Sequence, residues 1–468
     1  MRDAASSGIP FFYFFQYEKI RVETAVFFLL LLENAYLCNS GNLLNCSLMD
    51  RTNSRKRLKH FVLLVFVVVL PLFTVAQTGD DVVKRLVEMG FENVAWAEDD
   101  ARRVYLLENS TYRLSGVGIG KALDEIQKWG LPDGAKECRL IVLENNVPII
   151  SLYCTPDSLG NKDVTRNDWY VSYDIDSGWD LVKGKDRRNS SLYKVDILVY
   201  PMFSFKNGRL TVPYQVRLNI NPTLEASLWR GGKIVAQLVV PVVNDYGYRY
   251  DDVRPGYLTL SQRVRLPYKF FLTGTVGFFG NSRNGVDLKL EHFPTDGGVW
   301  FEARASYTIF GEWGEWKNGK NIHPFKFGYD KNSAALTGYV GANYYWKRLA
   351  SQLSLRAERY LEGEYGVRFD LIRHMKYCSI GFYGMYIPSD WHNDGINGGF
   401  RFVINLPPYK YKRRGYIPRI MPSRGWGFDY NAGGTYVYGQ SFKADVQENI
   451  GETIQYNPSY LKQELLNF

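Results

Sequence analysis

Between about residues 165 and 445 the chain alternates apolar and polar side chains with a period of two, and nowhere in that stretch is an apolar run long enough for a transmembrane helix. In YQVRLNI, Tyr214, Val216, Leu218 and Ile220 share one side while Gln215, Arg217 and Asn219 share the other. FEARASYTI sets Phe301, Ala303, Ala305, Tyr307 and Ile309 against Glu302, Arg304, Ser306 and Thr308. SQLSLRAE, YGVRFDL and GFRFVINLP repeat the arrangement. Such a pattern makes strands with one apolar and one polar face, and helices are excluded.

A soluble β-sandwich alternates too, with its apolar faces turned to a shared core. The segments here run near ten residues, which suits a tilted membrane strand, and they number roughly 14–16. Lipid tolerates no open sheet edge, so strands this numerous facing a membrane must close on themselves. The expected fold is therefore mainly β: a transmembrane antiparallel β-barrel over residues 165–445, with a small α+β periplasmic module before it. With the apolar side outward, the lumen would be lined by Arg217, Arg263, Arg265, Asp287, Glu291, Glu302, Arg304, Arg356, Glu358, Arg368, Asp370 and Arg401. That is a polar interior of mixed charge. The long stretches 244–255, 311–323, 388–395 and 407–424 are all expected on the extracellular side.

Residues 55–81, RKRLKHFVLLVFVVVLPLFTVAQTGDD, have the grammar of a secretory signal: a basic start, an apolar run from Phe61 to Leu70, a break at Pro71 and small residues up to Ala76. The run reaches only about fifteen residues, short of the roughly twenty that a spanning helix needs. Starting at Met49, the segment 49–76 is a signal peptide of ordinary length, and residues 1–48 are expected to be a mis-assigned, unstructured start. N-terminal sequencing of the mature protein is expected to begin at or near Gln77. Recovery of peptides from residues 1–48 would sink this reading.

Composition agrees with export to an outer membrane. Aromatics make up 16% of the chain, with 34 tyrosines, 28 phenylalanines and 43 glycines, yet mean hydropathy is only −0.26. Aromatic girdles and alternating, rather than continuous, apolar segments produce that combination. Residues 1–76 hold eight basic and five acidic side chains, so +6 of the chain's net +9 stays on the mature part. Charges of both signs are interspersed, which argues against a nucleic-acid partner.

Residues 77–160 read as the soluble α+β module. DVVKRLVEMG places Val82, Leu86 and Met89 on one helical face and ends at a glycine; GIGKALDEIQKWG places Ile119, Ala122, Leu123 and Ile126 likewise. VAWAEDDARRVYLLENSTYR and CRLIVLENNVPIISLYC supply strands, and Cys138 and Cys154 approach each other if the chain folds back at ENNV. Free thiols are the expectation there, since three mature cysteines make no disulfide framework. Residues 446–468 form a C-terminal tail whose end, NPSYLKQELLNF, resembles a short helix more than a last strand.

No enzyme is expected. The mature histidines, His292, His323, His374 and His392, stand isolated, without a G-x-S-x-G elbow or metal-ligand spacing. GVGIG at 116–120 lacks the spacing of a phosphate loop. No catalytic residue, metal or cofactor is assigned.

Several stretches carry a family likeness: LVEMGFENV, VPYQVRLNINPTLEASLWRGGKIVAQLVVPVVND, VRPGYLTLSQRVRLP, LRAERYLEGEYGVRFDLIRHM and GGFRFVINLP. Over most of residues 80–406 the chain resembles the YjbH-type outer-membrane proteins associated with exopolysaccharide secretion. The resemblance implies a large barrel with periplasmic α/β segments, located in the outer membrane of a Gram-negative bacterium. It implies export or surface assembly of exopolysaccharide, with outer-membrane lipid, polysaccharide and periplasmic secretion proteins as partners. The competing readings are a general porin or other transport barrel and, behind it, a barrel enzyme or surface-binding protein.

Overall fold

Helix α1 (Gly79–Met89) starts with Asp80 and Asp81 in its first turn, where acids favour the helix dipole, and buries Val82, Val83 and Leu86. A computed structural model describes the chain from there: residues 79–132, 136–159, 164–209, 212–317, 320–388, 395–406, 410–432, 439–450 and 454–467. The assigned start and signal segment, with His392, lie outside the described residues. Strands β1 (Glu92–Glu98) and β2 (Arg102–Glu108), helix α2 (Ser115–Trp129), and strands β3 (Glu137–Glu144) and β4 (Val147–Cys154) follow. A short α3 (Pro156–Leu159), β5 (Tyr170–Ser172) and α4 (Asp176–Val182) complete a five-stranded sheet in sequential order. Only β2 and β3 pair in parallel, because α2 provides the crossover. The β3–β4 hairpin turns at Asn145 and Asn146, both at positive φ, as a tight right-twisted turn demands. This sets Cys138 directly opposite Cys154, both buried, and burial pushes the Cys138 thiol well up, keeping it protonated.

The second sheet holds fourteen strands. These are β6 (Val195–Arg209), β7 (Val212–Trp229), β8 (Gly232–Asn244), β9 (Arg254–Leu266), β10 (Phe270–Phe279), β11 (Arg283–His292) and β12 (Val299–Trp313), and then, after a small hairpin β13 (Trp316–Lys317) and β14 (Lys320–Asn321), β15 (Phe327–Trp346). They continue as β16 (Ser351–Arg359), β17 (Tyr365–His374), β18 (Cys378–Tyr386), β19 (Ile396–Asn405), β20 (Arg419–Pro422) and β21 (Gly425–Asn431). Neighbours from β6 to β19, and on to β21, pair antiparallel, whereas β20 pairs in parallel with β6. The sheet thus curls into a nearly closed barrel. Among the described residues, no helix is long and apolar enough to cross a membrane.

The closure departs from the all-antiparallel expectation. Strands β20 and β21 are consecutive, interrupted only at Ser423–Arg424, and act as one stave; that leaves one fewer stave than strands, an odd number. An odd count forces the first and last staves to run the same way. The seam is hydrogen-bonded from Arg419 against Asp196 to Ser423, whose N–H donates to the Val199 carbonyl at 2.9 Å. Beyond it, side chains continue the join: Phe203 lies 5.3 Å from Phe428, and Phe205 lies 5.9 Å from Tyr430.

Alternation in the sequence becomes inside and outside. On β12 Glu302, Ser306 and Thr308 are buried while Phe301 and Tyr307 are exposed; on β16 and β17 Ser354 and Asp370 are buried while Leu355 and Phe369 are exposed. The polar face is the concave one. Tight turns cluster at one end, the sharpest at Arg230–Gly231, where Gly231 has φ +77° and any Cβ would stand 2.1 Å from the Arg263 carbonyl oxygen. The loop 245–253, the described residues of 314–326, and the ends of β18 and β19 that their connection joins lie at the other end.

The 407–424 stretch does not join those loops, contrary to expectation. The N–H of Tyr411 donates to the Thr111 carbonyl at 2.9 Å, and Arg413 reaches Glu92 at 2.9 Å, so this segment packs on the α+β sheet. Strand direction dictates it: β19 runs back toward that end, and the chain must start its last stave there.

Gln77–Phe468 forms one compact unit. Val142, Leu152 and Tyr173 of the α+β part share a core with Phe271, Phe293, Trp300 and Tyr345 from the tight-turn end of the barrel. Fully burying such side chains contributes about 1.5–3 kcal/mol each.

Candidate functional site: a filled, ion-paired lumen

The barrel interior is occupied by its own C-terminus. At the long-loop end the N–H of Leu361 donates to the Gln440 carbonyl at 3.0 Å, the N–H of Gly280 donates to the Lys443 carbonyl at 3.1 Å, and Phe442 stacks on Phe279. Farther in, Val446–Ile450 makes a single 3-10 turn against the wall, and Asn449 Nδ2 donates to the Tyr257 hydroxyl at 3.1 Å. Helix α5 (Pro458–Asn467) then lies at the α+β end, where Tyr460 meets Tyr345 and His374 edge-on and Lys462 Nζ donates to the Trp169 carbonyl at 2.6 Å. The described residues from 439 to 467 therefore run the length of the lumen. The terminal helix agrees with its sequence pattern.

Charged wall residues hold this segment. Lys233 Nζ lies 2.8 Å from Asp445, Arg304 lies 2.7 Å from Asp287 and 3.2 Å from Glu448, and Lys443 lies 3.6 Å from Asp429. The network extends through Arg356 to Glu302 at 3.8 Å, Arg368 to Asp370 at 2.8 Å and Arg401 to Asp429 at 2.7 Å. Opposite charges in such proximity stabilise one another more than at a surface because the lumen wall excludes much of the water.

Of the residues expected in the lumen, Asp287, Glu302, Arg304, Arg356, Glu358, Arg368, Asp370 and Arg401 come together around the tail. Arg263 and Arg265 sit at the junction instead. Arg263 bridges Glu144 of the α+β sheet at 2.5 Å and Glu291 at 3.4 Å, and Arg265 donates to the carbonyls of Ile149 at 2.9 Å and Tyr173 at 2.5 Å. Arg217 is separate, stacked between Tyr246 and Tyr250 near the 245–253 loop. Sequence reasoning missed Lys233, Asp429, Lys443, Asp445 and Glu448. Lys233 and Asp429 follow the period of their strands and were legible; the tail residues carry no period.

Two cavities flank the tail. One, about 340 Å³, lies at the junction with the α+β sheet and is lined by ten carboxylates against seven cationic side chains, among them Glu92, Glu108, Arg113 and Lys233. Burial, and beyond it the neighbouring Glu92, push the Glu108 carboxyl above its ordinary range, while burial pulls the Arg113 guanidinium down. The other, about 370 Å³, lies toward the long-loop end and reverses the balance: seven cationic side chains against four carboxylates, with Tyr339, Tyr360 and Tyr383. The interior is therefore acidic at one end and basic at the other. Compared with known proteins, the chain matches no family model, no curated protein and no solved structure.

Proposed function

We propose that this protein is an outer-membrane barrel acting in the export or surface assembly of exopolysaccharide. One observation carries the membrane part: the sheet is polar inside and apolar outside. Leu288, Phe301, Val340, Leu355, Phe369 and Phe382 are each 46–63% exposed on neighbouring strands. Soluble proteins rarely leave a contiguous apolar patch larger than a few hundred Å² uncovered. Facing lipid, the outer side lies in its proper solvent. The tight turns at the α+β end favour a periplasmic side for it, with the long loops on the extracellular side.

The polysaccharide part rests on the resemblance of the quoted segments and on the lining. Interleaved arginines, carboxylates and tyrosines offer many donors and acceptors to hydroxyls, which suits loose passage of a hydrated chain. The α+β sheet, sharing a core with the barrel, would receive periplasmic secretion proteins. A filled lumen disfavours a permanently open porin and favours a conduit opened by displacement of its tail.

The test is a gene deletion with extracellular glycan as readout. The expected result is a clear loss of surface polysaccharide, restored by the full chain, which should fractionate with the outer membrane and migrate faster unheated than heated on gels. Normal glycan in the deletion strain would remove the export reading and leave a transport barrel.

A further inference from the structure

Strand β16 ends well before its neighbour does. Its 9 residues, Ser351–Arg359, match the length that a tilted strand needs to cross the hydrocarbon, whereas β15 runs for 20 and pairs with β16 only from Gly338 to Trp346. The outer wall therefore steps down beside Gly338, at the long-loop end. At the step lies a groove of about 770 Å³ on the apolar face. Ala305, Gly338 and Ala357 recess its floor because they are small, and the exposed side chains of Leu336, Val340 and Val367 line it as well.

One cation belongs to this groove. Register sets Arg359 opposite exposed Tyr365 on the outer face, and its guanidinium lies 5.5 Å from the centre of the Tyr365 ring. Its Nε is buried without a hydrogen-bond partner; its two terminal nitrogens are accessible, and no described residue gives them a hydrogen bond or a carboxylate. The inward arginines of the same strand pair differ, since Arg356 meets Glu302 and Arg368 meets Asp370. An arginine facing lipid is tolerated at the membrane interface far better than at the midplane, and the end of β16 places Arg359 at that boundary. Stacked on an aromatic ring, a guanidinium is pre-organised to present its fork to a phosphate.

We propose that this groove binds an anionic lipid, with an acyl chain over Ala305, Gly338 and Ala357 and the headgroup phosphate on Arg359 beside Tyr365. The inference rests on the membrane reading above and adds to it one specific lipid contact. The groove falls within the range of about 300–1,000 Å³ typical of small-molecule sites. Charge decides the occupant. A zwitterionic lipid would cover the apolar floor equally well, but its phosphate already carries an ammonium and would leave the guanidinium poorly matched.

The full mature chain, folded in detergent, is titrated with dipalmitoyl phosphatidate, dipalmitoyl phosphatidylcholine and glycerol 3-phosphate, and bound molecules are counted by native mass spectrometry. Phosphatidate is expected to bind about tenfold more tightly than either of the others. Arg359→Gln should abolish the preference over phosphatidylcholine, and Ala357→Phe, which fills the recess from the lipid side, should weaken phosphatidate about tenfold. Heat-modifiable migration reports that both variants fold. Equal binding of the two lipids overturns the proposal, as does a preference that survives Arg359→Gln. Glycerol 3-phosphate binding as tightly as phosphatidate, or Ala357→Phe without effect, removes the groove and overturns it too. Location is scored separately by fractionation: an outer-membrane protein without the phosphatidate preference sinks this site alone, and a chain in the soluble fraction sinks the membrane reading whatever the lipids do.

Discussion

Neutralising Asp445 and Glu448 together is expected to convert a closed barrel into one that conducts in planar bilayers. These carboxylates tie the tail to Lys233 and Arg304 at 2.8 and 3.2 Å. Hydrogen bonds to charged groups contribute about 1.5–3 kcal/mol each, so losing both weakens the seat by about 3–6 kcal/mol. At about 1.4 kcal/mol per tenfold, the open fraction rises by two to four decades. Asp445→Asn with Glu448→Gln keeps the shape of both side chains and leaves α5 on its apolar seat, where Leu461 and Leu465 are buried. Truncation after Asn431 is the second variant. It removes the segment outright, and heat-modifiable migration reports whether the barrel still folds. Ion conductance that stays at the wild-type level in both folded variants would mean that the tail is not what closes the lumen.

The second large effect concerns the outer face. Leu355→Arg is expected to destabilise the protein folded in phospholipid vesicles by about 2–4 kcal/mol, because an arginine near the bilayer midplane loses its hydration. Leu355 is 54% exposed and pairs with exposed Phe369 on the neighbouring strand, so little packing is lost on substitution. An inward position must serve as control. Ser354, the obvious one from alternation, is unsuitable: it is 1% exposed and donates to Asn343 Oδ1 at 2.6 Å in a cluster with Gln352. Charge there would break a packed hydrogen-bond group. Thr337, on the wall of the basic cavity, has room and cationic neighbours, and Thr337→Glu should cost less than about 1 kcal/mol. Urea unfolding followed by tryptophan fluorescence measures both. A cost below about 0.5 kcal/mol for Leu355→Arg would place that face in water and remove the membrane reading.

Period-two alternation by itself determined which side chains would share a face. Glu302 and Ser306 are inward and Phe301 and Tyr307 outward because successive Cβ atoms leave a strand on opposite sides, whatever the strand later joins. The helical period of GIGKALDEIQKW and the Asn145–Asn146 turn are equally local, and both were legible. What a face meets is a different matter. Arg263 and Arg265 point inward as their spacing requires, yet they end on Glu144 and on backbone carbonyls of the α+β sheet, a choice made by how that sheet caps the barrel. The tail offered no period at all. Asp445 finds Lys233, 212 residues earlier, only because closure of the sheet creates a polar tunnel that the tail can fill. The parallel seam was hidden for the same reason: whether the last stave runs with or against the first depends on the total count, which no single segment carries. Likewise the 407–424 stretch looked like one more long loop, and only the direction of β19 sent it to the opposite end. Local periodicity acts within a few residues, whereas register, closure and ion pairing couple residues hundreds apart, and it was the tertiary structure that decided them.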